Sequence, residues 1–199
     1  MVKNKPDSLQ ELFNFYYTEF KPLYDRVHIY GQPPLEMLFE ITAAFDHLSR
    51  HWYYNLDEKI AVEKACSHLK RASFDAFKII LINTIDKYNE LLNIDTSIID
   101  NGNFDMSLKH LMADIESGAE KARMSEGDSR DEGKWHVAFE LWKEVYLKCY
   151  EFEYNYYLND KVEWAKKRQN RNKWVLRLEG LLIGIIASLI AAGIFYLFV

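Results

Sequence analysis

The sequence predicts an all-α protein: a helical bundle with one C-terminal transmembrane helix. Three observations carry this. Apolar residues recur at helical rather than alternating spacing. Only 8 Gly and 4 Pro punctuate 199 residues, too few for a turn-rich all-β design. The last 20 residues, Gly180 to Val199, contain no charge. The apolar share of 49% and charged share of 28% belong to a chain that folds around a core.

The elements follow in order. Ser8 and Glu11 form a capping-box pattern, and the first helix is expected to end near Phe20, before Pro22. Residues 24–32 read as a turn region. Pro33 and Pro34 open a helix over 35–54. Asp57 caps a long helix over 58–93, whose apolar residues from Ile60 to Ile85 keep a helical period. Residues 94–104 read as a loop with an Asn-Gly turn, and a shorter helix covers 106–124. The segment from Ser125 to Gly133 breaks the pattern. From Lys134 a helix places Trp135, Phe139, Trp142, Tyr146 and Cys149 on one face. A bend is expected near Asn159 and Asp160, before the C-terminal helix. The expected domains are a helical cytoplasmic part over 1–160, a basic juxtamembrane helix over 161–178, and a transmembrane helix over 179–199.

Charge divides the chain. The net charge is −5, but seven Lys/Arg and two acids fall from Lys161 onward. Residues 1–160 therefore carry −10 and the remainder +5. An acidic domain disfavours direct RNA binding. Two cysteines, Cys66 and Cys149, exclude a disulfide scaffold and a four-cysteine zinc site. No metal site and no cofactor are expected. The Asp100 loop has oxygen ligands near a Gly, but Leu111 stands where a calcium loop needs its closing Glu.

At about 1.5 Å per residue, 20 apolar residues reach roughly 30 Å, the thickness of a hydrocarbon core. The basic flank before them reads as cytoplasmic by the positive-inside rule. The expected location is therefore a bacterial inner membrane, single-pass, with a cytoplasmic N-terminal domain and the bilayer as partner. Gly180, Gly184, Ser188 and Ala192 form a stripe of small residues. Such a stripe lets helices approach closely and points to a homo-oligomer. Arg177 and Glu179 would ring the mouth of a pore in such an assembly.

Two polar constellations stand out in the helical part. Around the turn at Asp57, His47 and Arg50 mirror His68 and Arg71. In an antiparallel hairpin the two histidines fall at similar heights and, with His51, would form one polar cluster. Such a cluster suits an anion site or an inter-subunit contact. The other is Arg130-Asp-Glu-Gly-Lys-Trp-His136. Its Arg and His suit catalysis, because His moves a proton near neutral pH and Arg steadies phosphate charge.

That string is similar to the signature of HEPN ribonucleases, all-helical proteins in which Arg and His from two copies converge on one phosphodiester. With the helical architecture and the apolar C-terminus, the chain resembles the membrane-associated HEPN-like accessory proteins of type VI-B CRISPR systems. Only Arg130 and His136 carry a motif. The resemblance implies a partner that is an RNA-guided RNA nuclease, and an oligomeric effector that strengthens antiphage defence by disturbing membrane permeability. The alternatives are a tail-anchored adaptor that recruits a cytosolic partner, and a membrane-tethered HEPN ribonuclease in which Arg130 and His136 are catalytic.

Overall fold

The computed structural model describes residues 6, 8–31, 34–128 and 135–198; for 127–128 and 190–198 only the helical course of the chain is described. Among the described residues seven α-helices follow one another: α1 Leu9–Phe15, α2 Lys21–Ile29, α3 Leu35–Tyr54, α4 Glu58–Leu91, α5 Asn103–Asp128, α6 Trp135–Phe152 and α7 Asp160–Phe198. Among the described residues there is no strand.

Local chemistry explains the boundaries. Ser8 Oγ accepts from the Glu11 amide at the start of α1, satisfying one of the orphan donors of a helix N-terminus. Asp57 does the same for α4, accepting from the Ile60 amide at 3.1 Å. Asn55 ends α3 in the left-handed region (φ 53°), a conformation that Asn tolerates. Pro22 does not stop the first helical run. A π-turn over Tyr16–Phe20 leads straight into α2, where Pro22 lies in the first turn and lacks only an amide the helix can spare. Residues 24–29, expected as a turn, are therefore helical. Between α4 and α5 the chain makes two 3₁₀ turns, Thr96–Ile98 and Asp100–Gly102. Asp100, Asn101 and Gly102 there all adopt positive φ, and Asx and Gly residues are suited to it.

α4 is the axis of the bundle. It packs on α1, α2, α3 and α6, and buries Ala61, Val62, Ala65, Leu69, Phe77 and Ile80 among others. Its buried hydroxyls turn inward on the helix itself: Ser73 donates to Leu69 O and Thr84 to Ile80 O, each at 2.9 Å. The aromatic face expected on α6 is core. Phe77 stacks on Trp142 at 6.3 Å and meets Phe139 edge-on at 5.5 Å. α5 lies so close to α6 that a Cβ on Gly118 would sit 3.0 Å from Val145 Cγ2.

A second π-turn, Glu153–Tyr157, ends α6. Leu158 and Asn159 then break the helix, and Asn159 Oδ1 caps α7 by accepting from the Lys161 amide at 2.9 Å. Glu153 is largely buried. It accepts from Lys87 Nζ on α4 at 2.6 Å and from the Tyr30 hydroxyl after α2 at 3.1 Å, and pairs with Arg26 on α2. Burial holds the Lys87 ammonium below its ordinary pKa, with Arg26 adding to the effect, and burial raises the Tyr30 phenol.

The membrane-spanning helix, and with it the single-pass inner-membrane placement, is corrected here. Among the described residues no helix is long and apolar enough to cross a membrane. The reason lies in where the charge stops. α7 carries charge as far as Arg177 and Glu179, and its uncharged part with described side chains is the ten residues 180–189. Ten residues reach about 15 Å, half of a hydrocarbon core. Residues 190–199 of the expected span lie outside the residues whose side chains are described.

Replacing Glu153 by Gln leaves Arg26 and Lys87 buried without their counter-charge. We expect a loss of about 3 kcal/mol, read as a lower urea midpoint at unchanged slope. A midpoint within error of the parent would show that Glu153 is not the tie between α2, α4 and α6.

Candidate functional site

The structure brings His47 of α3 and His68 of α4 together, because the Asn55–Asp57 turn places them on facing surfaces of an antiparallel pair. Their rings stack with centroids 5.1 Å apart and planes inclined by 26°. Glu40, one α3 position that the sequence reading did not single out, completes the group. Its Oε2 lies 2.6 Å from His68 Nδ1 and 3.4 Å from Arg71 Nε. Glu40 precedes His47 by seven residues, two helical turns, so it lies on the same face of α3; that spacing was the signal available.

The distances fix the chemistry. A nitrogen 2.6 Å from a carboxylate is a donor, so His68 carries its proton on Nδ1. Arg71 Nη2, 3.1 Å from the same nitrogen, then serves as a cation beside Glu40 rather than as a donor to His68. Glu40 thus supplies from within the chain the negative charge that an external anion would bring. The Nδ1 of His47 is buried and has no hydrogen-bond partner. Burial, and secondarily the neighbouring His68, hold His47 below its ordinary pKa.

The other two expected members stand apart. Arg50 pairs with Asp46 on its own helix at 2.8 Å. His51 Nδ1 lies 2.7 Å from Leu56 O, closing the turn. The cluster is therefore a Glu40–His68–Arg71 group with His47 stacked on it.

Of the string expected to be catalytic, Arg130 lies outside the described residues. His136 opens α6, half-buried, with its Nδ1 3.9 Å from Glu140 Oε1 and its ring against Trp135. A carboxylate at that distance is its one described ionic neighbour. Asp100 of the oxygen-rich loop pairs with Lys161. Among the described residues no group of three His, Cys, Asp or Glu is placed to hold a metal ion. Both cysteines are buried free thiols. Burial raises Cys66, and lifts Cys149 to about 11, so neither is a ready nucleophile.

α7 is the remaining feature. Its first turns are anchored: Val162 and Ala165 are buried, and the Gln169 amide bonds Asn93 O and the Asp95 amide at 3.2 and 3.4 Å. From Arg171 to Leu189 every residue is exposed. Gly180, Gly184 and Ser188 lie along this stretch, with Ser188 Oγ donating to Gly184 O at 2.8 Å; the Ala192 side chain is outside the described set. Arg177, at the expected pore mouth, lies 6.0 Å from the ring of Trp174, and Glu179 is exposed.

The His47 environment has a pH signature. The free chain takes up its proton near the ordinary histidine value of 6.5, while the folded protein resists it. The unfolded state then binds more protons, so stability falls as pH drops below about 6.5. We expect the urea midpoint to decline less between pH 7 and pH 5 in His47→Gln than in the parent. Parallel declines would remove His47 as the cause. No protein-family model, no curated protein and no solved structure matches this chain.

Proposed function

We propose that the chain is a non-enzymatic assembly protein: α1–α6 form a base, and α7 is an arm that associates with the α7 of further copies. The observation that carries this reading is the exposed apolar surface of the arm. Trp174, Leu176, Leu181, Ile183, Ile186 and Leu189 are all more than half exposed, and Val175, Leu178, Leu182 and Ile185 add to them. At roughly 100 Å² each, these ten side chains leave on the order of 1,000 Å² of apolar surface in water. At about 25 cal/mol per Å² that corresponds to on the order of 25 kcal/mol. A patch of this size marks an interaction surface.

The small residues support helices as the occupants. A Cβ on Gly180 or Gly184 meets no atom within 4 Å, so nothing among the described residues fills the space beside them. A neighbouring helix can approach there closely. Under the resemblance to accessory proteins of RNA-guided defence, the base would be the part that meets an RNA-guided nuclease.

Light scattering on the full chain in a mild detergent, with the micelle contribution subtracted, tests the assembly. The expected result is an oligomer whose copy number falls in Gly184→Leu and is unchanged in His136→Ala. Gly184 is exposed and a Cβ there meets no described atom within 4 Å, so folding should be retained. A parent protein that runs as a monomer would overturn the reading. Loss of assembly in His136→Ala with Gly184→Leu unaffected would favour a composite Arg–His site instead.

A further inference from the structure

We infer that α3 forms a second interface, independent of α7, by pairing antiparallel with α3 of another copy. α3 has two apolar faces. One, with Met37 and Ala44, is buried on α4, its one substantial packing partner among the described residues. The other has no partner among the described residues. Phe39 is 69% exposed, Phe45 71%, Trp52 61% and Tyr53 80%, with Leu35 and Leu38 beside them. These are not scattered: Leu35, Leu38, Thr42, Phe45, Ser49 and Trp52 succeed one another at steps of three and four. That is the spacing of a helix–helix seam.

The occupant follows from the order of sizes along the seam. About a two-fold axis between Ala43 and Ala44, each seam residue meets another seam residue of the second copy. Leu35 faces Trp52, Leu38 faces Ser49, and Thr42 faces Phe45. Large side chains thus fall opposite small ones at the two inner pairs, as close packing requires, and the same patch serves both copies, as a two-fold interface requires. With an aromatic side chain contributing about 150–250 Å², the exposed parts of Leu35, Leu38, Phe39, Phe45, Trp52 and Tyr53 amount to roughly 700 Å² per copy. A standard stable interface buries about 800 Å² per partner.

Two substitutions test this on the full chain. Phe45→Glu places a charge opposite Thr42 of the second copy, and the copy number by light scattering is expected to halve; an unchanged copy number overturns the inference. Cross-linking decides even if that variant fails to fold. The native thiols are buried, so a cysteine added to the seam reacts selectively. Thr42→Cys lies beside the axis and is expected to give a disulfide-linked dimer on mild oxidation. Leu35→Cys is expected to give none, because an antiparallel pair holds the two copies of position 35 roughly 25 Å apart along the helix. Cross-linking of both variants would mean a parallel pair, and of neither, no α3 interface. If Phe45→Glu abolishes adsorption to phosphatidylcholine vesicles without changing the copy number, the seam is a lipid contact and the dimer is rejected. Gly184→Leu should leave the Thr42→Cys dimer intact, which separates this interface from the α7 assembly.

Discussion

One buried carboxylate holds the base together. Glu153 stands where α6 gives way to a π-turn, and gathers Arg26 and Tyr30 from the α2 region and Lys87 from α4. A buried charge is tolerable only when its partners are in place, so three chain segments far apart in sequence must meet at one point. Once they do, the aromatic layer of Phe77, Phe139 and Trp142 closes over the middle of α4. α7 then leaves the bundle from the capped break at Asn159. The direction of the arm is thereby tied to the same corner that Glu153 fixes.

The base and its surfaces divide the chemistry differently. Its titratable groups are mostly satisfied internally: Glu40 with His68 and Arg71, Asp100 with Lys161, Lys78 with Glu126. Exposed apolar side chains run along α3 and α7, and the buried Nδ1 of His47 is left without a partner among the described residues. The proposed assembly rests on that distribution. A charge bound within its own fold has little left to offer a ligand, whereas a phenyl ring in water gains from any dry neighbour.

Much of the helical order is legible in the sequence because caps are chemical signals. Ser8, Asp57 and Asn159 each open a helix by accepting a backbone amide on the side-chain oxygen. The matching heights of His47 and His68 follow from counting residues to the turn. Other features defeat such counting. Pro22 reads as a stop unless the preceding π-turn is known, and a π-turn has no strong sequence mark. Glu40 is missed because its partner lies on another helix. The outer face of α3 is missed because periodic apolar residues are read as core, and nothing in a single helix distinguishes its inward from its outward stripe. The charge-free C-terminus reads as a span, yet the described apolar part of α7 is too short for one.

The π-turns have a consequence in phase. Along α1 and α2 the buried positions run Leu12, Phe15, Phe20, Leu23, Val27, with one step of five where the others are three or four. At the other end Phe152 and Tyr157, again five apart, stack on each other at 6.4 Å. The first π-turn therefore works as a rotary joint with one tooth added, turning α2 by roughly a quarter-turn or more so that its apolar side still meets α4, while the second brings Tyr157 back against Phe152. Removing one residue there would do more than shorten the chain. Everything downstream of the first joint would be dialled toward solvent, and at the second the arm itself would point elsewhere.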